Sequence, residues 1–191
     1  MAELKMSFDC GLSPQSLAVG AYWEDNRLVH VEPVRPKKVP MAERLVTIFG
    51  ELAKLGPVDQ VVLEIMQVYT RDKSKGDPND LINLALLGGM VLTLSKGTPI
   101  LFKPHEWNHG FDKETTKNRL DRYFDEKKRP DELKVFKEGL ARVKAESLHH
   151  NIYDGVAIGM ASFGAYSIKP QAGPQPVRLN ISSNQKRKAA K

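Results

Sequence analysis

A single cysteine in 191 residues, Cys10, rules out a disulfide framework and a zinc cluster built from thiolates. So little cysteine suits a reducing, cytosolic compartment. No apolar run approaches the length of a membrane span, and the amino terminus has no secretion-signal pattern. The expected location is therefore cytoplasmic, with no membrane partner. No internal repeat is visible. What the chain does have is an excess of positive charge: 29 Lys and Arg against 23 Asp and Glu, a net +6. That balance favours a polyanionic partner, of which nucleic acid is the commonest. With 41% hydrophobic and 27% charged residues the composition is that of a soluble globular protein. The length suits one well-buried α/β domain and is too short for two ordinary ones.

The first strand, residues 4–9, alternates Met6 and Phe8 with Lys5 and Ser7, the pattern of a half-buried strand. Asp9 ends it, and Gly11 with Ser13-Pro14 turns the chain. Residues 17–23 and 27–34 read as two further strands joined at Glu24-Asp25-Asn26, giving an antiparallel meander. After a linker at 35–39, Pro40 opens a helix whose apolar stripe is Met41, Leu45, Ile48, Leu52 and Leu55, stopped by Gly56-Pro57. Residues 58–66 form a compact apolar run, a buried strand interrupted near its end by Glu64. A polar loop over 67–76 carries Tyr69, Arg71, Lys73 and Lys75, an aromatic among cations that suits a nucleic-acid surface. Asp77 is the expected N-cap of a helix running to Leu94, apolar almost all round, as for a helix that meets both the sheet and a second subunit. A short strand is expected over 99–103, and charged helical sequence over 113–146, broken near Arg129-Pro130. A last helix covers 148–164, in which Gly155 and Gly159 permit close approach to the sheet and Gly164 serves as cap. The division expected is a domain over 1–168 and a flexible basic tail over 169–191.

An acid at the carboxyl end of a core strand, followed by a glycine turn, lies where open α/β sheets bind ligands. Alone, Asp9 would read as a turn cap. Glu64 repeats the arrangement, and a buried carboxylate needs a cation, a metal or solvent beside it. Asp154, near the amino end of the last helix, has Asn151 and His150 three and four residues before it, on the same helix face. If the strands bearing Asp9 and Glu64 are neighbours, about 5 Å apart, the acids converge at one edge and the last helix adds Asp154. Such groups are hard oxygen ligands suited to Mg²⁺ or Mn²⁺. Two such ions activate a water and stabilise the leaving 3′ oxygen of a phosphodiester. The residues thus point to a metal-dependent nuclease.

Three stretches add a resemblance. Asp9-Cys10-Gly11-Leu12, Val61-Val62-Leu63-Glu64 and the run from His150 through Asp154 to Gly159 resemble RuvC-type Holliday junction resolvases, phage-borne members above all. The resemblance spans about residues 4–164, in order. It implies a ribonuclease H-like α/β fold with a five-stranded mixed sheet flanked by helices. It also implies a homodimer making paired, symmetric nicks in four-way DNA junctions with two Mg²⁺, or Mn²⁺ in their place, in a bacterial or phage-infected cell. By this resemblance Asp9, Glu64 and Asp154 are metal ligands. His150 or Asn151 takes the place of a fourth ligand, and His150 is the chemically better base. Tyr69, Lys113 and Lys117 fall near the family's DNA-contacting positions. The charged stretch over 117–148 is longer than usual for the family, and Cys10 stands where a Pro is common.

A competing motif is His105-Glu106-Trp107-Asn108-His109, which matches the zinc-peptidase pattern of two His at helical spacing with a Glu between. That chemistry needs a long helix, and Pro104 and Gly110 leave barely more than one turn. The leading expectation is a junction-resolving endonuclease. Its alternatives are a ribonuclease H-like nuclease for other branched DNA, flaps or RNA–DNA hybrids, and a non-catalytic nucleic-acid-binding protein.

Overall fold

Alternation along Leu4–Asp9 produces β1, the middle strand of the sheet in the computed structural model, which describes residues 2–65, 78–109, 111–126 and 128–166. β2 (Ala18–Glu24) and β3 (Arg27–Val34) follow as an antiparallel meander, β1 pairing β2 and β2 pairing β3. The two-residue turn between them, Asp25-Asn26, has φ of 48° and 62°, the left-handed pair that matches hairpin twist. On the other side of β1 lie β4 (Gln60–Glu64) and then β5 (Ile100–Phe102), both parallel to their neighbours, giving the order β3-β2-β1-β4-β5. The loop over 67–76 with Tyr69, Arg71, Lys73 and Lys75, the N-cap Asp77 and the tail from 169 lie outside the described residues.

The helices cover both faces. α1 (Met41–Ala53) and α2 (Pro78–Leu92) pack on one, around Met6, Phe8, Tyr22, Ile48, Leu52, Val61, Leu63 and Leu87. On the other lie α3 (Pro104–Trp107), α4 (Lys113–Glu126), α5 (Pro130–Ala141) and α6 (His149–Ser162), around Val19, Trp23, Val62, Phe102, Phe136 and Val156. β1 is therefore buried on both sides, not half-buried as its alternation predicts. Its polar residues are buried because they find partners: Lys5 Nζ donates to Asn26 Oδ1 at 3.2 Å, and Ser7 Oγ donates to the Gly155 carbonyl at 2.7 Å. β4 is shorter than its apolar run. Val58 leaves the strand to bridge Ser95 while staying fully buried, so hydrophobicity outlasts pairing.

Ser7 is the peg on which α6 hangs. Besides its bond to Gly155, it accepts the Trp23 indole N–H at 3.0 Å. A Cβ on Gly159 would stand 2.3 Å from Trp23 Nε1 and 2.6 Å from Ser7 Oγ, so only glycine lets the helix descend this far. Gly164, at φ +72°, takes the left-handed position just past the helix. α6 starts at His149, straight after a 3₁₀ turn over Glu146–Leu148, so Asp154 lies in its second turn. Asp154 is thus not a first-turn acid complementing the helix dipole.

Candidate metal centre

Side chains alternate across a strand, so residues that share parity share a face. Met6 and Phe8 of β1 pack toward α1 and α2, and so do Val61 and Leu63 of β4. Asp9 and Glu64 accordingly belong to the opposite face, the one α6 covers. β1 and β4 are paired in parallel up to Phe8 and Leu63, and one step further the strands end at Asp9 and Glu64. The Ser7–Gly155 bond then fixes α6 so that Asp154, one residue before Gly155, arrives beside Asp9, two residues after Ser7. At the other border of β1, Gly11 lets the chain turn back: a Cβ there would lie 1.9 Å from the Leu17 carbonyl oxygen.

The three acids share one electrostatic environment. The Asp9 carboxyl is pushed up to about 8, first by burial and next by the charge of Asp154. Glu64 adds to the rise, while the Asn151 hydrogen bond and the charge of Lys113 oppose it. Asp154 is raised to about 6 by burial, with Lys113 pulling down and Glu64 pushing up. Glu64 is raised by burial and eased by a hydrogen bond from Trp107. The carboxylates thus raise one another: Glu64 opposes ionisation of Asp154, and both oppose that of Asp9. The neighbouring Cys10 thiol is also held well up, by burial and then by Asp9 and Glu64.

Asn151, one turn before Asp154, is buried and donates from Nδ2 to Asp9 Oδ2 at 3.2 Å. Its Oδ1 is buried with no hydrogen-bond partner. A buried carbonyl oxygen left without a donor is an unusual expense in a folded protein and is at home beside a cation. Three carboxylates and this oxygen form the hard donor set of Mg²⁺ or Mn²⁺, and they fit such an ion chemically. Among the described residues, no three or more His, Cys, Asp and Glu side chains already stand as an ion cage.

His150 points elsewhere. Its Nδ1 faces the Ser147 carbonyl at 2.7 Å, and the side chain lines an open cleft of about 530 Å³ with Lys113, Lys117, His149 and Tyr153. Burial, and after it Lys113, holds its imidazole below the usual range against the pull of that carbonyl. The structure thus places Asn151 against Asp9 and His150 in the adjoining cleft, where it also sets Lys113 and Lys117.

The zinc-peptidase motif does not form. α3 ends at Trp107, so His105 and His109 do not share a helix, and His109 has φ +54°. Glu106 is occupied as a cap, its Oε2 accepting the Lys103 backbone N–H at 2.6 Å. The motif's histidines draw the eye away from Trp107, which lies midway between them: buried, it donates its indole N–H to Glu64 Oε2 at 2.5 Å. The signal was a large donor-bearing aromatic at the end of a turn too short for the zinc chemistry.

A mixed sheet in this order, with three antiparallel and two parallel-joined strands and helices on both faces, is the ribonuclease H-like fold. A solved structure of Thermus thermophilus RuvC shares it, superposing with a TM-score of 0.52 at 14% identity, over 84% of this chain and 93% of that one. A structure described as T. thermophilus RuvC in complex with Holliday junction substrate gives 0.48 at 16%, over 85% and 97%. No protein-family model and no curated protein sequence matches the chain.

Proposed function

We propose that the protein is a metal-dependent endonuclease of the RuvC type that resolves four-way DNA junctions by paired nicks. The observation that carries this reading is the convergence of Asp9, Glu64 and Asp154 from two strand ends and a helix, buried enough for Asp9 to keep its proton to about pH 8. Buried acids clustered in this way are costly to a fold that uses them only for stability. Bound there, Mg²⁺ would supply an activated water and stabilise the leaving 3′ oxygen. Asp9, Glu64 and Asp154 would hold it, with Asn151 Oδ1 as the adjoining oxygen.

The chain's own groups do the rest. Asn151 keeps Oδ2 of Asp9 oriented by its N–H. Lys113 and Lys117, at the start of α4, face the cleft beside the acids and suit the DNA backbone. An Nδ1 that faces a carbonyl carries the proton, so the basic nitrogen of His150 is Nε2, available to take or give a proton in the cleft. The protein acts as a homodimer joined through α2, because Ile82 and Leu86 are one turn apart on that helix, 59% and 54% exposed, while Val46 on the adjacent α1 is 63% exposed.

The test is cleavage in Mg²⁺ of a labelled immobile four-way junction beside flap, linear duplex and RNA–DNA hybrid of matched sequence. Symmetric nicks in opposing strands of the junction support a resolvase. Cleavage of flap or hybrid instead would keep the metal centre and change the substrate. Tight junction binding with no cleavage of any would favour a non-catalytic binding protein.

A further inference from the structure

Glu64 has two carboxylate oxygens, and one of them is already committed. β5 leaves the sheet at Phe102, the residue paired with Glu64, and Lys103-Pro104 turns it into the single turn of α3. Pro104 at the first helical position and the Glu106 cap on the Lys103 N–H fix that turn. Trp107, at its end, is 5% exposed and packs in the core that α6 shares, with its ring 6.3 Å from that of Tyr166. The indole N–H is a donor only, and once buried it must find an acceptor. It finds Glu64 Oε2.

We propose that Trp107 is a positioning residue for the metal centre: a rigid, core-packed indole that engages Oε2 of Glu64 and thereby fixes the carboxylate with Oε1 as the oxygen left for the metal. This rests on the reading of Glu64 as a ligand. A flexible surface donor would let the carboxylate turn, whereas the bulk of a buried tryptophan does not. Groups of this kind behind a ligand change metal affinity or activity by about 10–100-fold when removed. Trp107→Phe keeps an aromatic ring in the core but removes the indole N–H together with the bulk of its five-membered ring.

The experiment measures Mn²⁺ binding to the metal-free full chain by calorimetry, for wild type, Trp107→Phe and Glu64→Gln, with proton NMR of the indole N–H region alongside. The chain has two tryptophans, so two indole resonances are expected, and the one missing in Trp107→Phe assigns Trp107. The expected result is Mn²⁺ affinity about tenfold or more weaker in Trp107→Phe, a larger loss in Glu64→Gln, and a Trp107 resonance that moves on adding Mg²⁺ and in Glu64→Gln. Unchanged affinity in Trp107→Phe with a loss in Glu64→Gln would overturn the positioning role and leave Glu64 a ligand. Unchanged affinity in both would overturn the ligand reading and the proposal with it. Should Trp107→Phe fail to fold, Glu64→Gln assigns the resonance as the indole it displaces. Movement of that resonance with Mg²⁺ in wild type supports the proposal, and its immobility overturns it.

Discussion

Asp9 has opposite consequences for chemistry and for stability. A carboxyl whose pKa in the folded state lies above its unfolded value of about 3.9 favours the fold below that pH and loses the contribution as pH rises through the folded value. Asp9, raised to about 8, and Asp154, raised to about 6, therefore make the metal-free protein less stable from roughly pH 4 up to pH 8. Melting curves at pH 5 and pH 8.5 should show this fall, and Asp9→Asn should flatten most of it and melt higher than wild type at pH 8.5. Adding Mg²⁺ at pH 8.5 should raise the wild-type melting temperature and leave Asp9→Asn unmoved. A variant that melts well below wild type at pH 8.5 would contradict the coupling of the three acids. Asn151 makes a narrower point. Asn151→Ala removes both the hydrogen bond that favours ionised Asp9 and the adjoining oxygen, so Mg²⁺ should be bound more weakly at pH 7, and only the part due to Asp9 should fade at pH 9.

The element that sets the site is α6, and its depth is set by two glycines and a serine. Gly159→Ala drives a methyl into Trp23 and Ser7, an overpacking that should cost about 1–3 kcal/mol in urea unfolding. It should also reduce cleavage by lifting Asp154 from Asp9. Much of this element scale is legible in the sequence, because it depends on local rules: the Asp25-Asn26 hairpin, the stripe of α1, the helix break at Pro130, and the paired glycines of α6. Asp9, Glu64 and Asp154 stand out for the same reason, as acids at places where a strand or helix has little use for one. What was not legible is what depends on tertiary distance. Nothing near Trp107 in the chain marks Glu64, 43 residues away, as its acceptor. Asn151 and His150 are consecutive, and only the docking of α6 shows which touches Asp9. The His105–His109 spacing misled because a motif carries its chemistry only on a helix long enough to align both rings, and α3 has four residues.

At the scale of the whole molecule, α4, α5 and α6 and the cleft beside them occupy one face of the sheet, while the exposed Val46, Ile82 and Leu86 lie on α1 and α2 of the other. On the proposed reading the first face takes nucleic acid and the second a second copy of the chain. Light scattering of wild type should give the mass of a dimer, and Ile82→Glu with Leu86→Glu that of a monomer with an unchanged circular dichroism spectrum. A dimer that persists in the double variant would move the interface elsewhere. The central proposal is that Asp9, Glu64 and Asp154 hold a shared metal for DNA cleavage. The most direct measurement is cleavage of a four-way junction in Mg²⁺ by wild type and Asp9→Asn, with junction binding measured in parallel without metal. Wild type should give paired nicks, and Asp9→Asn should lose cleavage by about 100-fold or more while binding the junction as tightly. Cleavage by Asp9→Asn at the wild-type rate would contradict the metal centre.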